Sequence, residues 1–296
     1  MMATVKSAAA EAAVEINAKE TKMIIRTLVE NTSSSENMGH EHGLSLYIET
    51  KTHKLLFDTG ASALFIENAK LMNIDLSAVD IVVISHGHYD HGGGLKSFLQ
   101  INSHAKIYLK KKAFEKHYSN RSNGEKVYIG LDQSLLPNDR FQLVGDHLTI
   151  DEELELFSAV KMNSLKSSCN RDLYMAVGKY IVPDNFAHEQ NLIIKENENS
   201  VLIAGCAHNG IVNILEHYHK GKNNYPSHVI GGFHLCNPSA NTSEDPTVVT
   251  EIGEYLLETR ADFYTCHCTV IESYNRLKSI PGIKMNYVST GSQIVI

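Results

Sequence analysis

Four side chains that bind metals in proteins follow one short apolar run in this chain. Residues Ile81–Ile84 are all β-branched and indicate a buried strand, after which the chain reads Ser-His-Gly-His-Tyr-Asp-His and then three glycines. Imidazole nitrogens and carboxylate oxygens are suitable ligands for zinc, iron or manganese. A tight loop at the end of a strand can therefore aim four side chains at one or two divalent ions. These side chains are His86, His88, Asp90 and His91.

The composition is typical of a globular protein with a sizeable core, because 43% of the 296 residues are apolar. Acidic residues outnumber basic residues by 34 to 27, so a general attraction to nucleic acid or to an anionic membrane is not expected. No apolar run is long enough to span a bilayer. The five cysteines form no Cys-x-x-Cys pair, and an odd number without an export signal indicates reduced thiols in the cytoplasm.

We expect one domain over residues 23–296, because no repeat or linker divides this part of the chain. Residues 1–22 are rich in Ala, Glu and Lys and are interpreted as a frayed or loosely helical extension, or a start-site artefact. The pattern weakens around residues 103–185, which we interpret as a loop-rich insertion that shapes the pocket.

The His-x-His-x-Asp-His pattern after a hydrophobic strand resembles the signature of the metallo-β-lactamase superfamily. Phe57-Asp58-Thr59-Gly60 before it, Gly205-Cys206-Ala207-His208 after it and His267 near the C-terminus are similar to further segments of that family, in the same order. The resemblance covers about residues 23–296. It implies an α/β fold, a four-layer αββα sandwich with a metal site at one edge.

Other segments resemble one branch of the superfamily, which is called dihydropteroate-synthase-like. The branch is named after a methanopterin-pathway enzyme that joins a pterin to an aminobenzene ribofuranosyl phosphate. The similar segments are residues 29–32, 41–45, 205–213 and 231–235.

The resemblance implies two divalent metal ions, with zinc as the first choice and iron or manganese as alternatives. Six side chains would hold them, three to each ion. They are His86, His88 and His208 for one ion, and Asp90, His91 and His267 for the other. Asp58 would brace the histidine loop, since ligating imidazoles need their other N–H held, although it could also be a turn former or helix cap.

Two positions leave alternatives open. His188 occupies the place where many superfamily members have the third histidine of the first site, so it competes with His208. Cys206 stands where many members have a bridging aspartate, and it is either a thiolate ligand or a small buried residue that leaves bridging to water.

Two further expectations rest on strand alternation and chain order. If the chain stays extended, His267 points one way and the flanking Cys266 and Cys268 point the other, so we expect no cysteine-rich zinc site there. The last strand, residues 293–296, is expected to close the second sheet.

The substrate is expected to be a small molecule that carries negative charge. His234, at the end of a strand, could protonate a leaving group or hold substrate, or it could be structural. His42 is a further candidate for substrate binding. Lys110, with its basic neighbours and Arg121, could meet a phosphate or carboxylate, or it could be solvated surface. A homo-oligomer is left open.

Three functions are compatible with these residues. The first is a dinuclear metallohydrolase in which Asp90 orients a metal-bound hydroxide that attacks a phosphoester, phosphodiester, lactone or thioester. The second is a transferase that joins a dihydropterin derivative to an arylamine, as the branch name implies. The third is a metal- or ligand-binding module without turnover.

Overall fold

Two seven-stranded sheets face each other in the computed structural model, which describes residues 22–237 and 242–296. From edge to edge, the first sheet contains β20 (Gln293–Val295), β1 (Ile24–Val29), β2 (Ser45–Glu49), β3 (Lys54–Phe57), β4 (Ile81–Val83), β5 (Lys106–Lys110) and β8 (Phe141–Val144). The second contains β19 (Lys284–Tyr287), β18 (Asp262–Thr265), β15 (His228–Gly231), β14 (Asn199–Ile203), β13 (Gln190–Glu196), β10 (Leu154–Ser158) and β9 (His147–Thr149).

The apolar run in β4 follows from its position between two hydrophobic layers. Ile81 and Val83 pack into the core between the sheets, whereas Val82 packs outward against the helices that cover the first sheet. A strand that is buried on both faces has no polar alternation, so its sequence is continuously apolar.

Helices cover the outer face of each sheet. Leu64–Leu71 (α1) and Leu95–Ile101 (α3) pack on the first sheet, and the single turn Tyr89–Gly92 (α2) lies between them in the chain. The second sheet is covered by α4 (Ile211–Lys222), α5 (Pro246–Thr259) and α6 (Val270–Lys278). The predicted four-layer αββα sandwich is therefore confirmed.

The structure corrects the position predicted for the last strand. Strand β20 pairs with β1, where Ile24 lies opposite Val295, so it closes the first sheet and not the second. A strand pattern does not identify the partner of that strand, because pairing depends on contacts far away in the sequence.

The segment 103–185 is divided among three sheets. Strands β5 and β8 belong to the first sheet, and β9 and β10 belong to the second. A separate four-stranded sheet contains β6 (His117–Asn120), β7 (Lys126–Tyr128), β11 (Leu173–Val177) and β12 (Tyr180–Pro183). Lys111–Phe114, which follow β5, form a 3-10 turn. A two-stranded hairpin, β16 (Cys236–Asn237) with β17 (Thr242–Ser243), completes the described strands.

Parallel strands bring the candidate residues to one edge of the sandwich. Strands β3 and β4 run parallel in the first sheet, as do β14, β15 and β18 in the second. Ligands commonly bind where the carboxyl ends of parallel strands meet. Residues 1–21 lie outside the described residues, and so does nearly all of the extension predicted over 1–22. Within the described part of the chain, no helix has the length and apolar character needed to cross a membrane.

Candidate metal centre

The loops that follow three of these strands carry the candidate ligands into one buried cluster. The loop after β4 supplies the His-x-His-x-Asp-His side chains, β14 is followed by Cys206 and His208, and β18 is followed by His267. All of these side chains are buried. The backbone is left-handed at Ala207 and at His267, with φ of 53° and 51°, so the chain turns sharply where it reaches the cluster.

His86 and His208 face each other through their Nε2 atoms, which are 3.3 Å apart. The Nδ1–H of His208 donates to Asn170 Oδ1 at 3.0 Å. The Nδ1–H of His86 donates to Ser85 Oγ at 2.9 Å, because the hydroxyl proton of Ser85 is already donated to Asp58. Burial, together with the neighbouring histidines, holds the pKa of both imidazoles well below its usual range. Both rings are therefore neutral, and two nitrogen lone pairs point at each other.

This arrangement fits a bound cation. In a tetrahedral zinc site with Zn–N bonds of about 2.0–2.1 Å, neighbouring nitrogens lie about 3.3 Å apart. The distance between the two Nε2 atoms, 3.3 Å, equals that spacing. Facing lone pairs repel each other in a buried site, and a divalent cation between them would turn that repulsion into coordination.

A second pair of histidines has the same design. The Nε2 atoms of His91 and His267 are 3.2 Å apart. The Nδ1–H of His91 donates to Asp58 at 2.6 Å, and that of His267 donates to Asn31 at 2.7 Å. Burial lowers the pKa of His91, but the Asp58 and Asp90 carboxylates outweigh burial and raise the pKa to about 9. A metal ion bound to Nε2 of His91 would replace that second proton.

Asp90 joins this second pair. Its Oδ2 is 3.3 Å from Nε2 of His267 and 3.7 Å from Nε2 of His91. Burial raises the pKa of Asp90, but His91, His267 and His42 together hold it well below its usual range, so the carboxylate is ionised. His42 also reaches this oxygen, at 3.2 Å, from a side chain that is 41% exposed at the entrance.

Cys206 lies between the two histidine pairs. Its Sγ is 3.1 Å from Nε2 of His91. It belongs to one buried donor group with His86 and His208, and to another with His91 and His267. A bridge between two ions would lie at this position, and both a thiolate bridge and a water bridge are compatible with it.

His88 lies beside the first pair, with its ring centroid 4.6 Å from that of His86 and 4.9 Å from that of His208. Its Nε2 is buried and has no hydrogen-bond partner in the described part of the chain. The role of His88 as a ligand stays a prediction.

His188, the alternative to His208, faces away from the histidine pairs. Its Nδ1 accepts the backbone N–H of Gly87 at 2.9 Å, and its Nε2 lies 3.3 Å from Asp184 Oδ2. His117 donates to the same carboxylate at 2.7 Å. The geometry therefore favours His208 as the ligand and gives His188 the task of holding the histidine loop in place.

Cys268 does not follow the predicted alternation. The left-handed turn at His267 sends the side chain of Cys268 back towards the cluster, where its Sγ accepts the backbone N–H of His234 at 3.2 Å. Cys266 remains in the core between the sheets. The expectation that both cysteines point away from the site is therefore wrong for Cys268, since the chain is no longer extended there.

His234 lies against His208, with ring centroids 4.1 Å apart. It is only 6% exposed, yet neither ring nitrogen has a hydrogen-bond partner among the described residues. Its predicted role as a proton donor stays a prediction.

The structure corrects the role suggested for Lys110. Its buried ammonium donates to the Gly145 carbonyl at 2.7 Å and to Ser158 Oγ at 2.8 Å. It does not line the cavity above the histidines. Lys110 is therefore a structural cation that joins the two sheets, and the cation at the cavity is Arg121.

The cavity over the cluster has a volume of about 270 Å³. Its lining combines the candidate ligands with polar and apolar groups from the separate four-stranded sheet and its neighbouring loops. Those groups include Ser119, Arg121, Ile129 and Leu173, and Tyr89 of α2 also lines the cavity.

Several supporting residues received no role from the sequence. Glu30 is fully buried and accepts the backbone N–H of His267 at 2.6 Å and the hydroxyl of Tyr287 at 2.7 Å. Asn31 and Asn170 fix ring nitrogens of the candidate ligands. The resemblance of residues 29–32 to the branch was a signal for the first two, whereas nothing in the local sequence singles out Asn170.

Comparisons with known proteins agree with this arrangement. A family model described as the metallo-beta-lactamase superfamily matches residues 38–160. The uncharacterized protein MJ0448 of Methanocaldococcus jannaschii is 30% identical over 276 residues, which cover 90% of this chain and 98% of that protein. From the same organism, 7,8-dihydropterin-6-methyl-4-(beta-D-ribofuranosyl)-aminobenzene-5'-phosphate synthase is 28% identical over 255 residues, 79% of this chain and 83% of that one.

One solved structure is similar over nearly its whole length. The crystal structure of Tm1679, a metal-dependent hydrolase of the beta-lactamase superfamily, has a TM-score of 0.79 and 28% identity with this chain. The match covers 93% of this chain and 99% of that one.

Proposed function

The chain belongs to the metallo-β-lactamase superfamily, and from that premise we propose that it is a metal-dependent hydrolase of a small anionic ester. The resemblance that the histidine motif indicates is thereby confirmed, and the two relatives support the dihydropteroate-synthase-like branch. The reaction, the number of ions and their identity are our proposal.

One observation carries the proposal. Two pairs of buried imidazoles face each other through Nε2, and a separate side chain fixes every Nδ1 in these pairs. Proteins hold metal-ligating histidines in this way, because the outer hydrogen bond sets the tautomer and the ring orientation. Two such pairs, with Cys206 between them and Asp90 beside one of them, support a dinuclear centre.

The chemistry then follows from the residues around the ions. A divalent ion bound here would lower the pKa of a coordinated water to about 7 and would stabilise negative charge on the attacked group. Asp90 is ionised and can orient a nucleophilic water through its carboxylate. Asp58 holds His91 directly and His86 through Ser85, so one carboxylate aligns a ligand of each proposed ion.

The cavity supports an anionic substrate of modest size. Among the described lining residues, Arg121 is the one permanent cation and Asp90 the one carboxylate. Two divalent ions would make this space strongly positive, so it would attract phosphate or carboxylate groups. Ser119 and Tyr89 add hydroxyls, and Ile129 and Leu173 add apolar contact. Phosphomonoesters, phosphodiesters, lactones and thioesters all remain candidates.

The test combines metal content with a substrate panel. Metal-replete protein is assayed with 4-nitrophenyl phosphate, bis(4-nitrophenyl) phosphate, a γ-lactone and an acyl thioester, and metal is counted by elemental analysis. We expect His86→Ala and His208→Ala to lose metal and to lower kcat/KM more than about a hundredfold. His104→Ala, an exposed histidine before β5, should retain both. A metal-replete protein that hydrolyses none of the four would refute the hydrolase and favour the binding module.

A second candidate function is supported by one relative. The relative with 28% identity is named as the synthase of a dihydropterin–aminobenzene compound. A transferase of that kind would join a dihydropterin derivative to an arylamine with loss of diphosphate. Metal-replete protein is incubated with both substrates, and the product is sought by mass spectrometry. A coupled product without ester hydrolysis would favour the transferase over the hydrolase.

A further inference from the structure

A third group of donors lies next to the histidine pairs. Cys206 Sγ, a ring nitrogen of His234 and Cys268 Sγ are all within 4.8 Å of one another, and all three side chains are buried. They follow β14, β15 and β18, which are neighbouring parallel strands. The sheet itself therefore brings them together, because the carboxyl ends of these strands meet at the same edge.

The ring of His234 lacks hydrogen-bond partners among the residues that the structure describes. Both of its ring nitrogens are buried and make no hydrogen bond among the described residues. A buried polar atom without a partner costs about 1–3 kcal/mol, so native proteins rarely keep one without a ligand or an ordered water. His234 also has a left-handed backbone, with φ of 48°, which is uncommon for a residue other than glycine and often marks a functional position.

The two sulfur atoms are suited to a metal. Cys268 Sγ is buried and lies within 4.8 Å of its counterpart in Cys206. The backbone N–H of His234 points at this sulfur from 3.2 Å, which is the environment of a thiolate. Thiolate and imidazole together prefer soft or borderline ions such as Zn²⁺ and Co²⁺.

Another buried donor group in the described structure has no sulfur donor and is held in part by its own hydrogen bonds. His88, His117, Asp184 and His188 also lie within 4.8 Å of one another. There, however, Asp184 accepts from His117 at 2.7 Å, and His188 accepts from Gly87 at 2.9 Å. Nε2 of His88 and Nε2 of His188 in this group also lack hydrogen-bond partners among the described residues, whereas in His234 both ring nitrogens lack them.

We propose that Cys206, His234 and Cys268 form a third metal position, which binds one Zn²⁺ or Co²⁺ ion beside the dinuclear centre. Cys206 is shared between this position and the centre. Each thiol that ligates the ion releases its proton to solvent. With three protein ligands, the ion keeps a coordination place for water or a substrate atom, as catalytic zinc sites do. His234 is then a ligand and not a proton donor.

The experiment uses the full chain reconstituted with Co²⁺, because thiolate ligation to cobalt gives a charge-transfer band in the near ultraviolet. Bound cobalt is counted by elemental analysis, and folding is checked by circular dichroism. The variants are Cys268→Ser and His234→Gln. The matched control is Cys236→Ser, a buried cysteine in the neighbouring hairpin that does not belong to the donor group.

We expect both test variants to lose one equivalent of cobalt relative to the parent, and Cys268→Ser also to lose part of the charge-transfer absorbance. Cys236→Ser should match the parent in both measurements. Unchanged cobalt content and an unchanged band in Cys268→Ser and His234→Gln would overturn the third position. That outcome leaves the dinuclear centre intact, whereas cobalt loss in His86→Ala and His208→Ala tests the centre separately. If Cys268→Ser does not fold, His234→Gln decides by cobalt content alone.

Discussion

Asp58 shows how one side chain can align several ligands. Its carboxylate accepts Nδ1–H of His91 at 2.6 Å, the backbone N–H of Ser85 at 2.7 Å and the hydroxyl of Ser85 at 2.6 Å. Ser85 in turn holds His86. The residue is buried and has a left-handed backbone, with φ of 59°, so it is fixed in space at the end of β3.

Replacing this carboxylate should loosen the metals without removing a ligand. We expect Asp58→Asn to lower metal affinity about 10- to 100-fold, because an amide cannot accept all three hydrogen bonds and the His91 ring loses its charged partner. The measurement is competition with a chromophoric chelator. Asp80→Asn is the matched control. Asp80 also pairs with a histidine, because its Oδ2 is 2.6 Å from Nδ1 of His53, but it does not belong to the cluster. Equal affinities in parent and Asp58→Asn would contradict the role of Asp58.

Gly205 allows a close approach that a side chain would prevent. A Cβ atom at this position would lie 2.1 Å from Ser85 Oγ, the atom that links His86 to Asp58. Gly205→Ala should therefore displace Ser85 and lower metal affinity, measured by the same chelator competition. Gly221→Ala, where a Cβ meets nothing within 4 Å, should leave affinity unchanged. If both alanine variants bind metal as the parent does, Ser85 is not needed to hold His86.

At the scale of single residues, the sequence predicts only those features that depend on neighbouring residues in the chain. The histidine loop was predictable because its side chains lie within six positions after a buried strand. The turn that brings Cys268 back to the cluster depends on the left-handed backbone of His267, with φ of 51°. The sequence around His267 does not predict this conformation. The hydrogen bond from Gly87 to His188 joins residues 101 positions apart, so the sequence could not decide between His188 and His208.

For helices and strands, the sequence predicts that an element forms, but it does not predict which other element it pairs with. Strand β4 was predictable from its continuous apolar run, since it is buried on both faces. Helices α1, α4 and α5 were predictable from helical spacing, since each buries one continuous face. Strand β20 was predictable as a strand but was assigned to the wrong sheet, because its pairing with β1 spans almost the whole chain. From the sequence, Lys110 was a candidate for substrate binding or for solvated surface, and only the proximity of Gly145 and Ser158 makes it structural.

The separate four-stranded sheet is tied to the histidine loop through Asp184. His117, from β6, and His188, before β13, both approach this buried carboxylate. We expect Asp184→Asn to lower the free energy of unfolding by about 1–3 kcal/mol, because it weakens a buried hydrogen-bonded network. The measurement is urea unfolding. Asp146→Asn removes an exposed carboxylate that pairs with Lys110 and should change stability by less than about 1 kcal/mol. Equal losses of unfolding free energy in the two variants would mean that the Asp184 network stabilises the fold no more than an exposed ion pair does.

Glu155 in β10 connects neighbouring elements through charge. Lys222 of α4 donates to it at 2.6 Å, Lys195 of β13 at 3.1 Å and His147 of β9 at 2.8 Å. Burial raises the pKa of Glu155, but hydrogen bonds from these groups outweigh burial and lower the pKa to about 2.

The pKa of Glu155 determines the pH range in which its ion pairs stabilise the fold. A folded-state pKa below the unfolded value means that the stabilisation is complete above about pH 4.5 and is lost as the pH falls towards 2. The difference in unfolding free energy between the parent and Glu155→Gln should therefore shrink over that range. Urea titrations at pH 7, 4 and 2.5 measure it. A difference that stays constant from pH 7 to 2.5 would contradict a charge-based role.

For the whole molecule, the proposed metals connect the two halves of the sandwich. His86 and His91 are carried by the first sheet, whereas their partners His208 and His267 are carried by the second. Each facing pair therefore crosses from one sheet to the other. A cation bound to a pair joins the sheets at the edge where the loops leave the core.

Removing the metals should therefore destabilise the fold as a whole. An ion that binds only the folded state adds about 2.7 kcal/mol per site when its free concentration is a hundred times Kd. For two sites in a domain of this size, a fall in Tm of about 10 °C or more is expected after chelation. Differential scanning calorimetry on metal-replete and chelated protein measures this fall. His86→Ala removes a ligand of only one proposed ion, so added metal should raise its Tm by less than it raises that of the parent, while His104→Ala should respond as the parent does. If the parent melts at the same temperature in both states, the histidine pairs do not join the sheets through bound metal.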